Sequence, residues 1–298
     1  MDYGHPLSFG AFITPTNVQP HVPVGLAQLT EELGYDLITF QDHPYQPRFL
    51  DVWTLLSYVA AATTRIHVAP NVLNLPMRDP LVAARAAASI DLLSDGRFAM
   101  GLGAGAFWDA IAAMGRRRLS PGRAVDALDE AIDLMRGLWR PEDRTPLHGG
   151  EFYPVAGAAR GPAPAHAIPI WLGAYKPRML RLTGRKGDGW LPGLPHLRRA
   201  SIGDDHARID DSAADAGRDP RDIRRLLNVL GGEPAELLAE LAVEHGFSTF
   251  IVATDDVDVL TRFAGEIAPE VRRRVADERS ADHNTVLHPE PQINTEEQ

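Results

Sequence analysis

The sequence contains no cysteine among its 298 residues. This absence excludes a disulfide framework, a thiol nucleophile and a zinc–thiolate site. Lysine is almost absent as well, because Lys176 and Lys186 are the only two and every other basic residue is arginine. No apolar run is long enough to cross a bilayer, and the polar stretch from Met1 to Pro6 does not resemble a signal peptide. We therefore expect a cytoplasmic protein.

Excess positive charge is also missing. The net charge of −10 argues against nucleic acid or an anionic membrane surface as a partner. The histidines show no metal-ligand spacing, so no metal site is expected. What is present is ordinary for a globular enzyme with a small-molecule substrate, with 44% hydrophobic and 23% charged residues. The length fits either two domains or one α/β barrel of roughly 250 residues.

One complete strand–helix–strand unit occupies residues 66–105. It opens with apolar strand residues from Ile66 to Leu73, and Asp79 followed by Pro80 is a typical helix start. The alanine-rich helix that follows runs to Leu93, and the next apolar strand ends in a glycine-rich segment. A helix that connects two parallel strands belongs to an α/β sheet or barrel.

The same alternation continues along the chain and predicts the architecture. Eight predicted strands start near residues 7, 37, 66, 98, 170, 189, 224 and 249, and helices separate them. We therefore predict a (β/α)8 TIM barrel over residues 1–275, with an insertion after strand 4 at about residues 141–169. His148 to Glu151 indicates a hairpin turn within this insertion. Residues 276–298 are polar and without period, so we expect a C-terminal tail.

The segment from Gly101 to Ala106 matches the pattern G-x-G-x-x-A after a strand. Such a pattern can be a dinucleotide fingerprint, a tight turn without a ligand, or a barrel loop that approaches a cofactor. The first alternative is weakened because the strand is the fourth rather than the first. It is weakened further because Asp126, about 20 positions on, lies in a helical stripe.

Short motifs along the chain resemble the bacterial luciferase-like flavin and deazaflavin oxidoreductases. No single motif is specific, but their order and spacing together cover most of residues 7–275. The motifs are Phe9-Gly10, Gln41-Asp42-His43, Ala69 to Leu73, Asp91 to Arg97, Gly101 to Gly105, His148 to Tyr153, Trp171 to Ala174 and Gly187 to Trp190.

This resemblance implies a barrel that binds coenzyme F-420, a deazaflavin, or FMN at its mouth, and it implies a homodimer. It makes His43 the catalytic residue for proton transfer. The residues it places at the cofactor are Asp42, Asn71, Val72, Asn74, Gly103, Ala104, Gly105, Asp109, Gly173, Ala174, Tyr175 and Lys176. Four aromatic residues would give an apolar substrate pocket over the cofactor ring, namely Tyr45, Phe107, Trp108 and Trp190. The family also implies a cis peptide bond between Asn71 and Val72.

Elementary chemistry supports part of this set. A histidine can exchange a proton near neutral pH, and Pro44 keeps His43 in an extended conformation. The free N–H groups of a helix that begins near Pro177, together with Lys176, would attract a phosphate group. Purely structural roles stay open at these positions. Asp42 could cap a turn, His43 could be a loop histidine bonded to backbone, and the aromatic residues could pack in the core.

The predicted function is hydride transfer or monooxygenation of a small organic substrate. Some relatives place a glutamate where this chain has Ala106, so a second acid is missing here. The alternatives are an FMN-dependent monooxygenase with a separate flavin reductase, a non-redox barrel enzyme, and an inert flavin-binding protein. The alanine-rich helix segment from Ala83 to Ala88 would allow the close packing of two subunits. The loops at residues 14–20 and 142–167 carry no recognisable chemistry, so the sequence leaves the substrate open.

Overall fold

A computed structural model describes residues 2–287, with side chains described to residue 281. The strands are β1 Ser8–Ile13, β2 Leu37–Phe40, β3 His67–Pro70, β4 Leu73–Asn74, β5 Met100–Gly103, β6 Leu147–His148, β7 Ala156–Ala158, β8 Ile170–Leu172, β9 Gly189–Trp190, β10 Arg224–Val229 and β11 Thr249–Ala253. The helices are α1 Val22–Glu32, α2 Val52–Ala62, α3 Pro80–Leu93, α4 Trp108–Ala113, α5 Pro121–Leu138, α6 Pro177–Lys186, α7 Ile202–Asp215, α8 Ala235–His245, α9 Val257–Arg262 and α10 Ala268–Leu287.

The main sheet is a closed parallel barrel, as predicted. Its strand order is β3-β2-β1-β11-β10-β9-β8-β5-β4. The two ends of this order, β3 and β4, are halves of one predicted strand that residues 71–72 interrupt. Val68 of β3 also exchanges backbone hydrogen bonds with Arg97 and Ala99 at 2.8 and 3.1 Å, beside β5. The cylinder therefore closes with eight strand positions, and the dinucleotide-binding alternative is wrong.

The helix starts follow from local capping. The Asp51 carboxylate accepts a hydrogen bond from the Thr54 backbone N–H at the start of α2. Asp79 caps α3 in the same way, and Ser120 caps α5, with proline as the first residue of both helices. Each cap satisfies N–H groups that have no partner within the helix.

Gly101 allows β5 to approach the interrupted strand closely. A Cβ atom at this position would lie only 2.1 Å from the carbonyl oxygen of Pro70. A Cβ at Gly103 would lie 2.8 Å from the Val72 side chain. The first glycine of the G-x-G-x-x-A pattern therefore serves strand packing, whereas the later ones lie at the barrel mouth.

The insertion contains the predicted hairpin, since β6 and β7 pair in antiparallel fashion. The segment between these two strands runs from residue 149 to 155, which is longer than the turn expected at residues 148–151. Glu130 of α5 anchors it, because its carboxylate accepts hydrogen bonds from the backbone N–H groups of Gly150, Phe152 and Tyr153 at 2.8–3.0 Å.

Two predictions about the helical layer were wrong. The tail was expected from residue 276, but α10 continues to Leu287. The first turns of this helix bury Ala268, Val271 and Val275 against the core, and its exposed face carries ion pairs from Glu270 to Arg273 and Arg274 and from Arg273 to Asp277. Residues 288–298 lie outside the described residues.

The second error concerns α3. The alanines Ala83, Ala84, Ala87 and Ala88 are buried within the chain, and the indole N–H of Trp139 in α5 donates to the Ala84 carbonyl at 2.9 Å. This stripe is therefore not free to contact a second subunit. The homodimer stays a prediction that rests on the resemblance alone. Among the described residues, we find no helix with the length and apolar character needed to span a membrane.

Candidate active site

A cavity of about 610 Å³ opens at the carboxyl ends of the barrel strands. Most of the predicted site residues line it. These are Asp42, His43, Tyr45, Asn71, Val72, Asn74, Gly103, Ala104, Gly105, Gly173, Tyr175 and Lys176. Because eight parallel strands end at the same rim, residues far apart in sequence meet there.

His43 and Tyr45 form a hydrogen-bonded pair on one wall of the cavity. The His43 Nδ1 atom and the Tyr45 hydroxyl oxygen lie 2.6 Å apart. The Phe107 ring meets the His43 ring edge-on at 5.5 Å between centroids. Partial burial lowers the pKa of His43, and the negative charge of Asp42 offsets this in part. The pKa of Tyr45 is raised by burial and by Asp42, so the phenol keeps its proton at neutral pH.

Asp42, which precedes His43 in the chain, has hydrogen-bond partners for both of its carboxylate oxygens. Its side chain is 1% exposed and accepts hydrogen bonds from the Asn74 backbone N–H at 3.0 Å and from Arg78 at 2.7 and 3.2 Å. Arg78 also reaches Asp51, the cap of α2, at 2.7 Å. Asp42 therefore ties the loop after β2 to the segment after β4, and its main contacts are within the protein.

The interrupted strand forms the floor of the cavity. The peptide bond between Asn71 and Val72 is cis, as the resemblance implied. The Asn71 amide Nδ2 donates to Asn228 Oδ1 at 2.7 Å and to Thr39 Oγ1 at 3.3 Å. Val72 projects its methyl groups toward Gly103 and Gly173, and a Cβ atom at Gly103 would lie only 2.8 Å from one of them. The floor is thus apolar at Val72, and the hydrogen bonds of Asn71 to Thr39 and Asn228 fix its position.

Asn74 presents an acceptor without a partner. The residue is 6% exposed and lines the cavity, yet its Oδ1 atom has no hydrogen-bond partner among the described residues. A buried amide oxygen without a partner costs about 1–3 kcal/mol. A ligand that carries an N–H or O–H donor would relieve this cost.

The opposite wall carries the positive charge of the cavity. Lys176 is exposed, precedes α6 and has no ion-pair partner among the described residues. Tyr175 accepts a hydrogen bond from the Gly193 backbone N–H at 2.8 Å, and its ring meets His196 edge-on at 5.8 Å. Burial raises the pKa of Tyr175, so it stays a neutral phenol.

Five predicted site residues lie outside the cavity lining. Trp190 is completely buried, stacks on Phe247 and donates from its indole N–H to the Ala174 carbonyl at 2.9 Å, so this tryptophan and Ala174 belong to the core. Asp109 is fully exposed and pairs with Arg118.

The remaining two aromatic residues lie at the rim. Trp108 begins α4 and packs against Gly105. Phe107 is 65% exposed, and its ring contacts the rings of His43 and Tyr45, which line the cavity. Both would have to be covered by a substrate or by another segment to act as pocket residues.

Sequence reasoning missed several polar residues of the cavity. Gln41, His196 and Asn228 line it, as does Ala106, the position where some relatives carry a glutamate. The signal for Asn228 was available, because it is a polar residue near the carboxyl end of a predicted barrel strand. Among the described residues, no group of acidic and histidine side chains could hold a metal ion.

The chain thus forms a closed (β/α)8 barrel with a cavity at the carboxyl ends of its strands, where Lys176 supplies a positive charge. Enzymes with this fold bind their ligands at this end of the barrel. The family model of the luciferase-like monooxygenases matches residues 6–231. The chain therefore belongs to the luciferase-like monooxygenase family.

Two sequence relatives are similar to this chain. An F420-dependent glucose-6-phosphate dehydrogenase of Kribbella flavida is 30% identical over 220 residues, which cover 70% of this chain and 64% of the relative. A 5,10-methylenetetrahydromethanopterin reductase of Archaeoglobus fulgidus is 31% identical over 191 residues, 64% of this chain and 54% of the relative. The chain thus spans between about half and two thirds of the length of these relatives.

The solved structures agree on the fold. An F420-dependent secondary alcohol dehydrogenase, in complex with an F420–acetone adduct, superposes with a TM-score of 0.78. Its identity is 18%, and the match covers 90% of this chain and 99% of that one. At this identity the likeness establishes the barrel architecture alone.

Proposed function

We propose that this chain is an oxidoreductase that binds coenzyme F-420 at the barrel mouth and uses His43 in the chemistry of a small organic substrate. The observation that carries the proposal is the placement of the His43–Tyr45 pair above an apolar floor at Val72, inside one cavity with an unpartnered buried acceptor. The sequence relatives that carry F-420 or a reductase activity in their names support this choice.

The residues fit a deazaflavin or flavin. The apolar floor at Val72 suits the face of an aromatic ring, and Asn74 Oδ1 suits a hydrogen-bond donor of the ring or of its side chain. Lys176 and the N–H groups at the start of α6 suit a phosphate. Such a cofactor supplies two-electron transfer when bound, and the protein contributes its orientation and the exclusion of water.

Cofactor binding can be tested with the two lysines of the chain. We expect an absorbance or fluorescence titration of the protein with F-420, and separately with FMN, to show tighter binding of F-420. Lys176→Gln should weaken binding about tenfold through loss of the charge–phosphate contact. Lys186→Gln is the matched control, because Lys186 pairs with Asp129 and Asp133 away from the cavity. Binding of neither cofactor would contradict the proposal and favour a non-redox barrel.

The role of His43 needs a separate test. His43→Ala should keep cofactor affinity but slow reduction or reoxidation of the bound cofactor by roughly a hundredfold. His21→Ala, at the exposed start of α1, is the control and should leave the rate unchanged. Equal rates in the His43 variant and the wild type would remove His43 from the mechanism.

FMN remains the second candidate cofactor, since phosphate and ring contacts would serve both. In that case the chain is an FMN-dependent monooxygenase and needs a separate flavin reductase. Tighter binding of FMN than F-420, with oxygen consumption in the presence of a reductase, would favour this form. Binding without reduction by any donor would favour an inert flavin-binding protein. The homodimer and the cytoplasmic location belong to the same proposal, and gel filtration tests the former.

A further inference from the structure

The hydrogen bond between His43 and Tyr45 can have either residue as its donor. The two atoms, Nδ1 and the hydroxyl oxygen, are 2.6 Å apart, so a hydrogen lies between them. Either the tyrosine donates to Nδ1, which leaves the imidazole proton on Nε2, or Nδ1 carries the proton and donates to the tyrosine. The two arrangements give His43 opposite properties at its free nitrogen, a donor in the first and an acceptor in the second.

The protonation of Tyr45 distinguishes the two arrangements. Burial raises the pKa of Tyr45, so its hydroxyl carries a proton, and His43 Nδ1 is the one hydrogen-bond partner of this hydroxyl among the described residues. Asn74 Oδ1 has no partner among the described residues, so it does not accept the tyrosine proton. His43 Nδ1 is then the acceptor for that proton.

The surroundings of His43 favour its neutral form. Its ring is half-buried and faces the rings of Tyr45, Phe49 and Phe107. The nearest charge is Asp42, which is already bound by Arg78. A neutral imidazole in an apolar wall polarises a carbonyl through its N–H group, and it does this without giving up the proton.

We propose that Tyr45 is a positioning residue that holds His43 as the neutral tautomer with its proton on Nε2, so that His43 presents a hydrogen-bond donor to the substrate. The substrate class that this donor fits is a compound with a carbonyl, or another oxygen that gains negative charge in the reaction. The use of the donor in turnover rests on the proposed function, whereas the tautomer is a property of the protein itself.

The test is a nitrogen NMR measurement on protein labelled with ¹⁵N-histidine, without cofactor, at pH 8. We expect the His43 signals to show an unprotonated Nδ1 and a protonated Nε2, with the assignment made from the signals lost in His43→Gln. A protonated Nδ1 in the wild-type protein would overturn the proposal. This result does not depend on cofactor binding, so it is separable from a failure of the proposed function.

Two tyrosine variants complete the experiment. Tyr45→Phe removes the donor and should give a mixture of both His43 tautomers. Tyr175→Phe is the matched control, because Tyr175 lines the same cavity but hydrogen bonds with Gly193 instead. It should leave the His43 signals unchanged. An unchanged tautomer in Tyr45→Phe would show that Tyr45 does not set it.

Discussion

Asn71 and Asn228 join opposite sides of the barrel mouth through their side-chain amides. Asn71 Nδ2 donates to Asn228 Oδ1 at 2.7 Å, and Asn228 Nδ2 donates back to Asn71 Oδ1 at 3.3 Å. Asn71 directly follows β3, the first half of the interrupted strand, and Asn228 lies near the end of β10. This pair holds the cavity floor in place from across the cylinder.

We predict that Asn228→Ala lowers the free energy of unfolding by about 1–2 kcal/mol. The reason is that Asn71, which is 8% exposed, keeps only its 3.3 Å contact with Thr39 and loses its stronger partner. Urea unfolding followed by circular dichroism measures the change. Asn17→Ala is the control, because Asn17 donates to Pro47 in an exposed loop and should change stability by less than about 0.5 kcal/mol. Equal effects of the two variants would contradict the bridging role of Asn228.

The ion pair between Arg78 and Asp42 makes a second prediction possible. Arg78→Ala should destabilise the protein by about 3 kcal/mol, because it leaves the buried Asp42 carboxylate with the Asn74 N–H as its remaining partner. The measurement is the denaturant midpoint at constant slope. Arg221→Ala removes an exposed ion pair with Asp219 and should leave the midpoint unchanged. A small effect for Arg78→Ala would mean that water replaces the guanidinium.

Gly101 provides a third prediction, which concerns the glycine pattern itself. Gly101→Ala should cost at least about 3 kcal/mol, because its Cβ would overlap the Pro70 carbonyl oxygen and neither backbone can move within the barrel. Gly25→Ala, within α1 and with no atom within 4 Å of the new Cβ, should instead stabilise the protein by about 0.5–1 kcal/mol. Thermal unfolding of the two variants should shift in opposite directions. A Gly101→Ala variant of unchanged stability would contradict the packing role of this glycine.

The predictable part of the fold was encoded locally. Asp79 marked the start of α3 in the sequence because a capping side chain acts within one turn. The spacing of apolar runs then gave the number of strands. Helix α10 was missed beyond residue 275, because the polar sequence that follows the buried Val275 shows no hydrophobic period.

The predictable part of the site followed from topology. His43 and Asn74 lie at strand ends, so a closed barrel brings them to one rim. Trp190 was misplaced because β9 has only two residues, and such a short strand does not show by alternation which way a side chain points. The hydrogen bond between Asn228 and Asn71 could not be predicted, because the two residues are distant in sequence and the pairing exists only once the cylinder closes.

The final prediction concerns the pH dependence of His43. Burial lowers its pKa below the ordinary value of about 6.5, while Asp42, with Arg78 bound to it, opposes this in part. The other groups that face the ring are Tyr45 and the aromatic rings of Phe49 and Phe107. Since protonation occurs below the pKa, the imidazole stays neutral to a lower pH than a free histidine would.

Phe107→Ala should raise the pKa of His43 toward the ordinary value, because it exposes the ring to water and reduces the cost of the charged form. The measurement is an NMR titration of the His43 signals from mildly alkaline to acidic pH. Met114→Ala, which removes another exposed apolar side chain near the rim helix α4, should leave the titration unchanged. If the neutral imidazole is the active form, turnover falls as pH decreases through this pKa, and in Phe107→Ala the fall begins at a higher pH. A rate that rises on acidification would instead identify the imidazolium as the active form.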